Sequence, residues 1–431
     1  MKMENNYWIV DEWLIFKPDF NEELIDYCGV INKYKKIMFS NYDDFLIAIE
    51  TNNQYTDEYC ANFIKNNFNQ EIDLSNNINL THLTFGCYFN QKIYLSNNIN
   101  LTHLTFGMNF NQEIDLSNNI NLTHLTFEVY FNQEINLLNN INLTHLTFGC
   151  YFNQKIDLSN NINLTHLTFK YKFNQKLKLS NNINLTHLTF GMNFNQEINL
   201  SSNINLTHLT FGMNFNQKIN LSKNINLTHL TFGYWFNQKI DLLNNINLTH
   251  LTFGYWFNQK IDLLNNINLT HLTFGSNFNQ EIDLSNNKNL THLTFGYDFN
   301  QEIDLSNNIN LTHLTFGSDF NKKIIIPPNV KSLNMFYCNN QYLIDNLHNN
   351  IEELIINQTN LNLDNLPNSI KQLYIENYNK ELNNLPNSIE YLELKDYELK
   401  IKKIPKNLKT VKCDEEYEYI NDFKDYEVIT Y

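Results

Sequence analysis

Phe68-Asn-Gln-Glu-Ile-Asp-Leu-Ser-Asn-Asn-Ile-Asn-Leu-Thr-His-Leu-Thr-Phe-Gly-Cys-Tyr88 is a 21-residue phrase that the chain states twelve times, through Asp319. Its leading phenylalanine returns at Phe89, Phe110 and every 21 residues to Phe320, with no insertion or deletion. A fixed short period specifies a solenoid, in which each unit packs on its neighbours. Within the phrase, Thr81-His82-Leu83-Thr84-Phe85 alternates and is rich in β-branched and aromatic residues, which predicts a short strand. Leu83 and Phe85 then share one side, and His82 and Thr84 the other. Ile93-Tyr94-Leu95 also alternates and predicts a second, shorter strand. Ser96-Asn97-Asn98-Ile99-Asn100 has turn composition and returns the chain to the next strand. Gly86 follows the strand in most copies, but Glu128 and Lys170 replace it, so the turn there does not always need a positive φ.

Differences between copies separate core from surface. The positions of Leu80, Leu83, Phe85 and Phe89 never vary and are read as buried. The pair after Gly86 varies most, from Cys87-Tyr88 to Met108-Asn109, Tyr234-Trp235 and Ser318-Asp319. Glu71 becomes Lys92, Asp73 becomes Tyr94 or Lys178, and Ile78 becomes Lys288, so these positions face water.

The flanks follow from what a solenoid needs at its ends. Residues 1–67 fall outside the period and are read as an N-terminal capping region, partly helical, with a helical stretch at Asn21–Tyr27 covering the end. Within it, Tyr34–Phe39 repeats the apolar spacing of Leu80–Phe85. Residues 68–319 are the twelve repeats. From Ile326 the spacing shortens: Ile351, Ile370, Ile389 and Leu408 lie 19 apart, with Pro367, Pro386 and Pro405 before three of them. Residues 320–412 are read as shorter coils that keep the strand side and shorten the return turn. Residues 413–431 form an acidic C-terminal cap or tail.

Composition excludes several function classes. The formal charge is −15, and there is no arginine. Residues 1–67 carry 6 Lys and 12 acids, the repeats 11 and 16, and residues 320–431 carry 13 and 17, so no region is basic. Nucleic acid and anionic membrane surfaces are disfavoured as partners. No apolar run reaches the roughly 18 residues of a membrane span. The N-terminal segment is read as no signal peptide, and the six scattered cysteines fit a reducing compartment. The Asn-Leu-Thr triplets are accordingly expected to stay unglycosylated.

The sharpest site candidate is a histidine column: His82, His103, His124, His145, His166, His187, His208, His229, His250, His271, His292 and His313. By alternation it shares a face with the Thr84 column. Zinc needs four ligands, and threonine neighbours supply no third or fourth, so no metal or other cofactor is expected. The column is either a stacked neutral ladder or an exposed recognition stripe. Tyr234, Trp235, Tyr255 and Trp256 are either an aromatic interaction patch or simply one duplicated unit, since residues 228–248 and 249–269 are identical. No catalytic motif is present, and a residue in twelve copies is unlike an active site, so the chain is read as a non-enzyme.

Leu-x-x-Leu-x-Phe followed by Gly-x-x-Phe-Asn-Gln resembles the FNIP repeat, a relative of the leucine-rich repeat. Thirteen Phe-Asn pairs carry the resemblance, which extends over residues 68 to about 412. The motif's proline is absent, since Glu71 or a lysine follows the glutamine. The resemblance implies a mainly β, leucine-rich-repeat-like solenoid with a parallel sheet on one face. It also implies a protein–protein interaction scaffold, in the cytoplasm or, for a giant-virus protein, the host cytoplasm. Some members join the repeats to an F-box, which sets the alternative of a substrate-recognition subunit of an SCF-type ubiquitin ligase. Residues 1–67 would then be a degenerate F-box bound by a Skp1-type adaptor; Phe20–Leu24 is the only echo of its opening.

Overall fold

The alternating strand is where the coils join. A computed structural model of the chain describes residues 2–3, 6–39, 67–357 and 360–431, in two units, Met1–Asn224 and Ile225–Tyr431. Each unit is a parallel, mainly β solenoid with one short strand per coil. In the first, Trp13–Phe16, Lys36–Phe39, His82–Thr84 and His103–Phe106 lead to His208–Phe211, each strand parallel to the next. In the second, the series starts at His229–Thr231 and continues past His313–Phe316 through Ser332–Phe336, Glu353–Asn357, Gln372–Glu376 and Tyr391–Lys395 to Thr410–Cys413. The register is one whole period: His187 lies opposite His208, and Leu188 opposite Leu209. Every column of the sequence is therefore a physical column of the sheet.

Leu80, Leu83, Phe85 and Phe89 are buried, as their invariance predicts. Phe85 stacks on Phe89 within the coil at 3.9 Å. Between coils, ring spacing depends on the side of the coil. It is 4.1 Å between His82 and His103, 5.5 Å between Phe85 and Phe106 and 6.0 Å between Phe89 and Phe110. The second unit repeats the series at 4.3, 5.7 and 6.1 Å. The coils are wedges, and each unit curves toward its histidine face.

The wedge explains a departure from expectation. Ile93-Tyr94-Leu95 does not form a strand. On the thick side of the coil, where the Phe89 and Phe110 rings stand 6.0 Å apart, side-chain amides bridge neighbouring coils. The Asn90 backbone N–H donates to Asn69 Oδ1 at 2.8 Å, and Gln91 Nε2 donates to the Asn69 carbonyl at 3.0 Å. The Phe-Asn-Gln triplet is a set of spacers.

A second amide column lies in the core. Asn98, read from composition as turn, is fully buried. Its Nδ2 donates to the carbonyls of Leu74 at 3.0 Å and Asn77 at 2.8 Å in the preceding coil, while Oδ1 accepts no hydrogen bond. The side chain is needed for its donors, so aspartate cannot replace it. Its neighbour Asn97 stays exposed and makes one longer bond, to the Ser75 carbonyl at 3.3 Å. The Asp73 position is also more constrained than its exposure implies: the Asp73 carboxylate accepts from the Ser75 N–H at 2.8 Å, an Asx turn that Asn136 reproduces. That turn holds this column to Asp or Asn in ten copies of twelve.

The glycine column answers to contact. No glycine among the described residues has a positive φ. Neighbouring coils approach so closely that a Cβ on Gly107 would lie 2.2 Å from the Gly86 carbonyl oxygen, and one on Gly149 would lie 1.7 Å from that of Glu128. At Glu128 and Lys170 the backbone pairs one residue further, their N–H groups donating to the Phe106 and Phe148 carbonyls at 3.1 and 2.9 Å. Lys170 Nζ reaches Glu128 Oε2 at 3.1 Å across Gly149.

At the N-terminal end the helical stretch packs on the first strand, with Tyr27 edge-on to Phe16 at 5.8 Å, but another strand pairs that strand's edge. Tyr7–Val10 forms a hairpin with Trp13–Phe16 and supplies that pairing, and helix is seen at Leu24–Tyr27 and Cys28–Ile31 among the described residues. A strand offers the edge's N–H and C=O groups partners that a helix cannot. The F-box alternative concerns residues 1–67, of which 40–66 lie outside the described residues, as does Cys60. The 19-residue coils differ on the strand side as well as at the return turn: their strands run to five residues, and Tyr337, Asn377 and Asp396 follow at φ of 59°, 51° and 50°. In the return turn proline takes the place of the buried asparagine; Pro367 accepts the N–H of Ile370 as Asn77 accepts that of Leu80. Residues 413–431 carry a further strand, Glu427–Thr430, parallel to Thr410–Cys413.

Substitutions in the asparagine and glycine columns test their roles. Asn140 donates to the Leu116 and Asn119 carbonyls, both at 2.9 Å, so Asn140→Ala should cost about 2–3 kcal/mol in urea unfolding, Asn140→Asp more, and the exposed Asn139→Ala under about 1. Gly149→Ala, which drives a methyl into the Glu128 backbone, should cost about 2–3 kcal/mol, whereas Glu128→Gly with Lys170→Gly should stay within about 1.

A candidate interaction surface

The outward side of the strand presents threonine and histidine in every repeat. Histidine rings stack at 4.1–4.2 Å with interplanar angles of 9–12° from His82 through His103, His124, His145, His166 and His187 to His208. In the second unit His229, His250, His271, His292 and His313 stack at 4.1–4.3 Å. Trp13 meets the edge of His82 at 5.5 Å and closes that end of the ladder.

Hydrogen bonding fixes the tautomer. Thr102 Oγ1 contacts the Thr81 carbonyl at 3.0 Å and His103 Nδ1 at 2.9 Å. A carbonyl only accepts and a hydroxyl has one proton, so the proton goes to the carbonyl and Nδ1–H donates to the hydroxyl. Nε2 is then the bare nitrogen. Parallel stacked rings aim these lone pairs along parallel lines, which cannot converge on one ion. Among the described residues no cluster of His, Cys, Asp and Glu could hold a metal.

Charging this ladder is unfavourable. Burial first, and then repulsion from neighbouring histidines, pushes His103, His124, His145 and His166 down to about 4. His82 falls to about 4 through burial and the nearby Lys36 ammonium. His250, His271 and His292 are lowered by the same two causes, burial foremost.

The variable pair is placed differently. Its backbone is a second ladder: the N–H of each second residue donates to the carbonyl of the first residue one coil back. Examples are Asn109 to Cys87, Tyr151 to Val129, Trp256 to Tyr234 and Asp298 to Ser276, at 2.8–2.9 Å. The sequence changes most where the backbone is held as firmly as in the strand. At two coils of the second unit the pair is aromatic. Tyr234 stacks on Tyr255 at 4.7 Å, and Trp235 on Trp256 at 5.3 Å and 7°. Trp235 is 45% exposed and Trp256 38%. These four residues form one block, set apart from the histidine column. In the first unit the pair carries Lys172 over the Tyr151 ring at 3.9 Å.

Sequence reading missed the buried asparagine as a structural residue. Its signal was present: the second asparagine of the Asn-Asn pair is invariant, whereas the first becomes Ser202 or Lys223. No helix among the described residues is long and apolar enough to cross a membrane.

A family model described as FNIP Repeat matches residues 288–319, 308–338 and 357–397. Among solved structures, the chain is similar to CroV588, described as a novel circular LRR protein, at 33% identity and a TM-score of 0.62, covering 95% of this chain and 67% of that one. It resembles InlJ of Listeria monocytogenes, described as including a cysteine ladder, at 22% identity and a TM-score of 0.50, covering 68% of this chain and 63% of that one. The LRR protein LIC12759 of Leptospira interrogans aligns at 16% identity and a TM-score of 0.54, covering 79% and 92%. The last two likenesses concern the fold alone. No curated protein sequence matches.

The ladder predicts a pH response. Histidine in the unfolded chain titrates near 6.5, and His82, His103, His124, His145 and His166 near 4. Between these values the unfolded state binds protons that the folded state refuses, so stability is full above about pH 6.5 and falls as pH drops toward 4. The melting temperature should decline from pH 7.5 to 5, and less so after His103, His124 and His145 are changed to Asn; an unchanged melting temperature in the parent chain would refute this.

Proposed function

Because the chain belongs to the FNIP-repeat family of leucine-rich-repeat proteins, we propose that it is a non-enzymatic protein-interaction scaffold that recognises its partner through the variable pair column. One observation carries this reading: side-chain identity changes from coil to coil on a backbone ladder that does not. Such a surface is preorganised, so binding does not have to order it. Among the columns where copies differ, the Asp73 column is held to Asp or Asn in ten copies of twelve, and the Glu71 column holds only Glu and Lys. The pair column alone offers aromatic, sulfur-bearing, basic, acidic and small side chains.

The histidine face contributes less to specificity. It is the same in all twelve repeats, so it cannot mark one coil from another. Its role is the ladder itself, with threonine and imidazole satisfying each other. The exposed Trp235 and Trp256 are the strongest anchors on the pair column, since large rigid aromatic groups dominate binding energy at interfaces.

Cross-linking of the full chain to partners recovered from native cells, followed by peptide mapping, tests the reading. Contacts should fall on the pair column, and Trp235→Ser with Trp256→Ser should weaken the captured complex by about tenfold or more while leaving the melting temperature within about 2 °C. Contacts confined to the return turns near Tyr94 and Asn97 would refute it.

A further inference from the structure

The pair column of the second unit has a pattern beyond its exposed tryptophans. It reads Tyr234-Trp235, Tyr255-Trp256, Ser276-Asn277, Tyr297-Asp298, Ser318-Asp319. Tyr234 and Trp235 stack on one face of Tyr255 and Trp256. Ser276 and Asn277 come next in the column, and their side chains are smaller than the rings before them and the Tyr297 ring after them, which makes a notch one coil wide. Tyr297 forms the other wall, backed by Phe336 at 5.8 Å and Tyr337 at 5.9 Å. Two coil spacings of about 4.8 Å put the walls roughly 10 Å apart, room for a flat or small head group between ring faces.

The charge beside the notch has one sign. Asp298 and Asp319 follow each other in the tryptophan column, and neither joins an ion pair among the described residues. Ser318 Oγ donates to Asp319 Oδ1 at 3.0 Å, which leaves both charges uncompensated. Partial burial, and then repulsion from Asp319, raises the Asp298 carboxyl above its ordinary value. An approaching cation would relieve both strains.

Aromatic faces next to carboxylates select cations, and guanidinium best of all, being planar, weakly hydrated and able to stack on a ring while it hydrogen-bonds a carboxylate. We infer that the notch at Ser276, walled by Tyr255, Trp256 and Tyr297 and flanked by Asp298 and Asp319, binds an arginine side chain of a partner protein. A second copy of this chain cannot be that partner, because it contains no arginine. The inference rests on the scaffold reading above and adds the partner's chemistry.

The test uses the full chain and three peptides: Gly-Arg-Gly-Arg-Gly, the same peptide with lysine, and the same peptide with citrulline, which keeps the shape and loses the charge. Binding is read by tryptophan fluorescence and by calorimetry. The arginine peptide should bind saturably, with lysine weaker and citrulline weaker by about tenfold or more. Trp256→Ala and Asp298→Asn should each weaken it by about tenfold. Asp283→Asn with Asp304→Asn, which removes two charges from return turns that asparagine equally supports, should leave binding unchanged. Equal binding of the citrulline peptide, no saturable binding, or an equal loss in the Asp283/Asp304 variant would each overturn the inference. If the peptides fail while the Trp235/Trp256 variant still loses its native partner, only the arginine assignment falls; if that variant keeps its partner, the scaffold reading falls with it.

Discussion

Each coil must satisfy backbone groups on a side where no strand can form. The buried asparagine column solves this. Asn98 sends both Nδ2 protons to carbonyls of the coil before it, and every later copy sits in the same buried place. Peptide carbonyls left in the core without a donor cost free energy, so the return half of the coil depends on these amides. The Asn69 and Gln91 spacers do the same at the outer edge. Side chains thus take over from the backbone wherever coils stand too far apart for direct pairing.

That division of labour produces the wedge. Backbone pairing sets close spacing at the histidine face, and stacked phenylalanines with amide spacers set wider spacing opposite. Glycine completes the shape, since a Cβ on Gly107 would collide with the backbone one coil away. The two exceptions show how tight the constraint is. Glu128 and Lys170 stand two coils apart with Gly149 between them, and their ion pair spans it. After the twelfth repeat the coil is built with different parts: proline replaces the buried asparagine, and a left-handed residue follows three of the strands, at Tyr337, Asn377 and Asp396. The face changes there as well, from threonine and histidine to alternating charge, with Glu352 between Lys331 and Lys371 and Lys409 on Glu390.

Function is then a matter of what the constant frame leaves open. The strand face is closed to variation by its own hydrogen bonds, because Thr102 and His103 use each other's groups. The pair column is open, since its ladder runs through the main chain and asks nothing of the side chains. Tyr234 to Asp319 is the stretch where that freedom has produced aromatic and acidic groups together.

The sequence by itself determined the solenoid, its period, its buried Leu80, Leu83, Phe85 and Phe89 columns, and the shared face of His82 and Thr84. A strict repeat makes each of these a local pattern copied in register, so alternation and invariance are enough to read them. Tertiary structure alone decided what depends on the distance between coils. The Ile93 segment alternates like a strand, yet it forms none, and beside it side-chain amides bridge the coils. Asn98 has turn composition, yet its amide is needed inside. Gly107 looks like a turn residue, yet it is there for contact. The strand edge at the N-terminus also took a hairpin beside its helical stretch, because only a strand could complete its hydrogen bonds. Spacing along the chain is written in one dimension; spacing between coils arises only when twenty-one residues close on themselves and stack.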